Sequence, residues 1–160
     1  HQDGVAQVNL LLTRASPWLD VDSYLAYEGK VVLTNKTASR TSVRIPSWVD
    51  RREVRCRVGE DERRFHWTGN YLVVDGLKPG DRITIEFPVK EETISYTPMA
   101  RRWNRPEAYK CHFKGNPLID ISPRDESPGS YPIFLRDHYK QARAPMKKVN
   151  RYVYPGVLRW

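Results

Sequence analysis

Two carboxylates, Asp20 and Asp22, stand two residues apart in Leu19-Asp20-Val21-Asp22 and come nearest in this chain to a catalytic acid pair. Hydrolysis of a glycosidic bond needs two carboxyl groups facing each other across a cleft, about 5 to 9.5 Å apart. Residues i and i+2 of a strand share one face, so these two are expected to point together into solvent as an ordinary polar face. The histidines suggest no metal site, since His66 and His112 fall on the outward faces of different strands. His138 follows Asp137, and a carboxylate can orient an imidazole. Neighbours in sequence often point apart, so a surface role is expected. No Ser or Cys has a recognisable base, no glycine-rich phosphate loop occurs, and Gly76 and Gly80 belong to a turn. The expected catalytic set is none, and the expected metal set is none.

The aromatic residues offer a different chemistry, the stacking of sugar rings. Of the five tryptophans, Trp48 and Trp67 lie in or just after strands and read as core or corner fillers. Trp18, after a proline, and Trp103, in an arginine-rich loop, are the candidates for carbohydrate contact. Exposed tryptophans can equally mark an interface with another domain. The two cysteines, Cys56 and Cys111, match no zinc or redox spacing. Each sits on the apolar side of an alternating run, Val54-Cys56-Val58 and Tyr109-Cys111-Phe113, as an inert core thiol would. A disulfide between them is the other reading.

The net charge is +8, and it is uneven. Basic and acidic residues number 14 and 12 over residues 1–90, six and six over 91–135, and seven and one over 136–160. A basic tail suits nucleic acid, an acidic polysaccharide or an acidic patch on a partner. No helix-turn-helix, zinc-finger or ribonucleoprotein motif accompanies it, so no nucleic acid partner is expected. No apolar run is long enough to span a bilayer. Asn35-Lys36-Thr37 fits the glycosylation acceptor pattern and is placed in a turn.

These residues need a scaffold, and the alternation along the chain predicts one. Asp20–Leu25, Val31–Leu33, Thr41–Ile45, Glu53–Val58, Arg63–Trp67, Tyr71–Val74 and Arg82–Phe87 read as short strands with one apolar face each. Residues 53–58 and 63–67 are expected to pair as a hairpin across Gly59-Glu60-Asp61-Glu62. Lys78-Pro79-Gly80-Asp81 reads as a type II turn. Thr93–Thr97, Tyr109–Phe113 and Leu118–Ile121 are further strand candidates. The class is all-β, an antiparallel, jelly-roll-like β-sandwich over residues 1–121. An irregular extension follows over 122–160, with a Pro- and Ser-rich loop at 122–132. Its last part, from Arg136, carries Tyr139, Met146, Val149, Tyr152, Val153, Tyr154, Val157, Leu158 and Trp160 among the basic residues. Such a segment is expected to pack on the sandwich or on another domain, with Trp160 as an anchor. The chain opens on His1 and reads as a piece of a longer protein. Its compartment is left open between cytoplasmic and secreted or periplasmic.

Four blocks occur in order: Val8-Asn9-Leu10-Leu11-Leu12, Arg44-Ile45-Pro46-Ser47-Trp48, Gly69-Asn70-Tyr71-Leu72-Val73-Val74 and Lys78-Pro79-Gly80-Asp81 with the strand to Phe87. Phe113-Lys114-Gly115-Asn116-Pro117-Leu118-Ile119 follows, with Asn116 inserted before the proline. This ordered set, over about residues 5–121, resembles the β-sandwich region that follows the catalytic barrel in glycoside hydrolase family 127. The resemblance implies a bacterial parent whose helical barrel hydrolyses β-L-arabinofuranosides with a zinc-bound cysteine nucleophile and a glutamate acid/base. None of those residues maps onto this chain, which is therefore expected to be non-catalytic and without cofactor. The partner it implies is the parent's own catalytic domain, and behind it a plant-type or bacterial polysaccharide. An independent carbohydrate-binding module and a basic adaptor for anionic polymers are the rival readings.

Overall fold

The computed structural model describes residues 1–97, 108–124, 136–151 and 153. They fall into two compact units. The first comprises His1–Leu25, Gly29–Pro88 and the described residues from Pro145 on. The second comprises Ala26–Glu28 and the described part of Val89–Ala144.

The first unit is a two-sheet sandwich. Its strands are β1 (Val5–Val8), β2 (Leu19–Ser23), β3 (Lys30–Asn35), β4 (Arg40–Arg44), β5 (Arg55–Val58), β6 (Asp61–Glu62), β7 (His66–Thr68), β8 (Tyr71–Asp75) and β9 (Arg82–Glu86). One sheet has the order β1-β4-β8-β7 and the other β2-β3-β9-β5-β6. All pairs are antiparallel except β1 with β4, which is parallel, with Val8 opposite Val43. Alternation decides which side chains go inside. Leu19, Val21, Val31, Leu33, Val43, Ile45, Leu72, Val74, Ile83 and Ile85 form one buried cluster contributed by both sheets. Burial of that apolar surface is the main term holding the two sheets together. The all-β sandwich expected from the sequence is the fold observed.

Two backbone features fix how the strands meet. A Cβ on Gly29 would lie 1.7 Å from the Phe87 carbonyl oxygen, so only glycine lets the start of β3 close on the end of β9. Gly80 has φ +91°, the left-handed conformation a type II turn needs at that place, and Asp81 N–H donates back to Lys78 O at 3.1 Å.

Two expectations change. The run 63–67 meets 53–58 only at its first residue, where Arg63 N–H donates to Cys56 O at 2.9 Å. Instead β5 turns tightly at Gly59-Glu60 to pair with the two-residue β6, Val58 opposite Asp61. His66–Thr68 crosses to the other sheet and pairs with β8, which lets Trp67 pack against the core. Strand β1 was not foreseen, because four residues with a single parallel partner leave little local pattern.

The described residues that follow Pro88 build a further sheet. Strands β10 (Glu91–Tyr96), β11 (Tyr109–Lys114) and β12 (Leu118–Ser122) form their own antiparallel sheet, β10-β11-β12, hydrogen-bonded to neither sandwich sheet. Its β11–β12 register shifts between His112 and Phe113. The shift breaks the alternation, so that Lys114 is buried along with Cys111 while Phe113 is only half-buried. A short 3-10 turn, Asp137–Lys140, belongs to this unit. Lys114 Nζ donates to the carbonyls of Tyr139 and Gln141, both at 3.1 Å.

Candidate functional site

Strand alternation puts Asp20 and Asp22 on the outward face of β2, as expected, but neither is freely solvated. Asp20 accepts from Lys36 Nζ at 2.7 Å and from Ser16 N–H at 3.2 Å. Asp22 is ion-paired with Arg151 of the tail. Both carboxylates, with Tyr24, line an open groove of about 290 Å³ whose other wall is Met146–Val149 and Arg151. The acids stand side by side on one strand, each against a cation, and do not face each other across a cleft. That arrangement suits ion pairing and lacks the opposed pair that glycoside hydrolysis needs.

The histidines are scattered. His66 Nδ1 is 3.5 Å from Asp75. His112 lies between Thr93 Oγ1 at 3.0 Å and Glu91 at 3.3 Å. Asp137 does not orient His138: it pairs with Lys140 at 2.6 Å and Arg124 at 3.3 Å, while the His138 ring packs on Tyr139 and Tyr27. Among the described residues, no three of His, Cys, Asp and Glu converge as a metal site would require.

Both cysteines are free and buried. Burial pushes the Cys56 thiol up to about 11, so its reactive thiolate is scarce at neutral pH.

Of the two carbohydrate-contact candidates, Trp18 is 39% exposed and stacks on the His1 imidazole, with centroids 5.0 Å apart and planes 2° from parallel. Trp103 lies outside the described residues, as do Tyr152, Tyr154, Val157, Leu158 and the proposed anchor Trp160. Trp48 and Trp67 pack against the core, edge-on to Phe87 and Phe65 respectively. Leu10 and Leu12, at 67% and 63% exposed, point away from the sandwich, while Leu11 between them packs on the core.

A second concavity is one that the sequence did not disclose. Two of the ordered blocks meet at one end of the sandwich, where Ile45 N–H donates to Asn70 O at 2.9 Å. Ile45, Pro46, Ser47, Val49, Arg51, Trp67 and Asn70 enclose a pocket of about 100 Å³ there. Asp50 caps a one-turn 3-10 helix, Arg51–Glu53, by accepting from Arg52 N–H at 3.0 Å. The turn sets Arg51 over the Trp67 ring, its guanidinium carbon 5.0 Å from the centroid. Arg51 also donates to Asn70 Oδ1 at 2.6 Å. Asp50 does not neutralise Arg51. The Arg52 side chain engages it and holds its carboxyl down at about 2. A sequence signal existed only in part: Arg44-Ile45-Pro46-Ser47-Trp48 marked the corner, but Arg51 and Asn70 reach it through long-range pairing.

No protein-family model matches the chain, and no curated protein matches it in sequence. Solved structures do. A GH127 β-L-arabinofuranosidase from Geobacillus stearothermophilus T6 superposes with a TM-score of 0.51 at 16% identity. The match covers 72% of this chain and 20% of that one. A second structure, described as a glycoside hydrolase, matches with a TM-score of 0.43 at 19% identity, over 61% of this chain and 16% of its own. The chain thus spans about a fifth of the enzyme whose fold it shares. The likeness is one of fold, and it agrees with the ordered blocks in the sequence.

Proposed function

We propose that this chain is a non-catalytic β-sandwich portion of a larger glycoside hydrolase of the β-L-arabinofuranosidase type, which supports the catalytic domain and edges its substrate cleft. One observation carries the reading: 72% of this chain superposes on a fifth of a GH127 enzyme. The surface is compatible with it. Asp20 and Asp22 are engaged by cations, and the exposed pair Leu10 and Leu12 flanks a leucine anchored in the core. Leucines displayed in that way suit burial against another domain.

The exposed ring of Trp18 is the feature that favours the rival, an independent carbohydrate-binding module. A single assay series separates the two. The purified chain is incubated with aryl β-L-arabinofuranosides and titrated with arabinan oligosaccharides while the Trp18 indole is followed by NMR. The accessory reading expects no turnover and no saturable shift. Turnover that persists after removal of host enzymes, or a saturable shift abolished by Trp18→Ala, overturns it.

A further inference from the structure

We infer that the pocket bounded by Pro46, Arg51, Trp67 and Asn70 is a docking site for a carboxylate side chain, glutamate or aspartate, presented by a partner protein segment. The inference rests on the accessory reading for the identity of that partner, the catalytic domain, and on the pocket alone for its chemistry.

Arg51 is the central feature. Its guanidinium is held in place twice, by the Trp67 ring beneath it and by Asn70 Oδ1 at 2.6 Å. Among the described residues it has no carboxylate within ion-pairing distance, unlike Arg40, Arg52, Arg57, Arg124 and Arg151. A guanidinium presents five donors in a rigid fork that matches a carboxylate. Asn70 uses one, and the contacts with Trp67 and Asn70 restrain the exposed fork. Binding a carboxylate there costs little further ordering.

Size and wall chemistry choose the class of ligand. About 100 Å³ has room for roughly three water molecules, which is the bulk of a carboxylate with one or two methylenes. That bulk is closer to a side-chain carboxylate than to a pyranose ring. Trp67 is not a free stacking platform, since Arg51 lies over its face and Phe65 meets it edge-on at 5.9 Å. The apolar walls, Ile45, Pro46 and Val49, suit an aliphatic stem.

The test is an NMR titration of the full chain, following the Trp67 indole N–H, with acetyl-Gly-Glu-Gly-amide, its Gln counterpart and sodium galacturonate as probes. The Glu peptide is expected to shift the signal saturably, with the Gln peptide about tenfold weaker or more, as the loss of a charge-assisted hydrogen bond implies. Arg51→Gln should abolish the shift. Asn70→Asp guards against a merely unfolded variant: it places a carboxylate beside Arg51 and should block the peptide while the melting temperature stays unchanged or rises. Equal response to the Glu and Gln peptides, a stronger response to galacturonate, or full binding by Asn70→Asp overturns the proposal. Those results leave the accessory reading standing, whereas turnover by the chain would overturn that reading and leave the pocket.

Discussion

Asn35 donates through its side-chain amide to the carbonyl of Lys78, 43 residues away, at 2.8 Å. The same amide donates to Ala38 O at 2.7 Å, and Oδ1 accepts from Ala38 N–H at 3.0 Å. The backbone joins in, with Asn35 N–H to Asp81 O at 2.8 Å and Gly80 N–H to Asn35 O at 2.9 Å. At 1% exposure, this residue ties the end of β3 to the β8–β9 turn, so Asn35-Lys36-Thr37 serves the turn in which the sequence places it.

Asn35→Ala should therefore cost about 2–4 kcal/mol, because it leaves the buried Ala38 N–H and carbonyl and the part-buried Lys78 carbonyl without their partner. Asn35→Asp should also destabilise, since it keeps the acceptor and loses both donors. Urea denaturation followed by tryptophan fluorescence measures both. A change under 0.5 kcal/mol for either would show that water replaces the amide freely.

Ile85 is fully buried between both sheets, whereas Thr84 faces outward. Ile85→Ala should lose about 2–5 kcal/mol by transfer and cavity terms, and Thr84→Ala less than about 1 kcal/mol. Thr41 adds a contrasting case: it is completely buried and its hydroxyl has no partner among the described residues. Thr41→Val keeps the shape and removes the orphan, so it should be neutral or stabilise by about 1 kcal/mol. The same denaturation series ranks all three, and Thr41→Val as the worst of them would contradict the placement of that hydroxyl.

In the second unit, hydrogen bonding from the Arg124 side chain, assisted by Lys140, holds the Asp120 carboxyl down at about 2. A carboxylate depressed on folding contributes stability that is complete above its unfolded value near 4 and lost as pH falls through its folded value. Between pH 4 and 2 the turn Asp137–Lys140 should loosen as Asp120 is protonated, an effect that solvent screening of these exposed groups keeps small. Hydrogen exchange of residues 137–144 at pH 5 and pH 2.5, corrected for intrinsic rate, reports it. Asp120→Asn should show the loosened behaviour at both values, and an unchanged pH response in that variant would assign the effect elsewhere.

Cys56 should react with a maleimide at pH 7.5 far more slowly than a free thiol, because burial both blocks access and disfavours the thiolate. Denaturation should restore normal reactivity at both cysteines, with no change in mass on reduction. A loss of two mass units reversed by reductant would instead reveal a disulfide between them.

Period-two alternation is a local property, since consecutive side chains of a strand must point to opposite faces. The residues themselves therefore declared the all-β class, the inward set from Leu19 to Phe87, and the outward placement of Asp20, Asp22 and Thr84. The Pro79-Gly80 turn was legible for the same reason, as its conformation is dictated within four residues. Pairing is not local. His66–Thr68 finds β8 instead of β5, β1 lies parallel to β4, and a register shift in β11 buries Lys114, all because partners are chosen by what the whole core can cover. The candidate site follows that division: Arg44-Ile45-Pro46-Ser47-Trp48 announced a corner, but only the tertiary structure brought Arg51, Trp67 and Asn70 around one pocket. Asn35 shows the same limit, for its exposure was decided by a turn 43 residues distant in the chain.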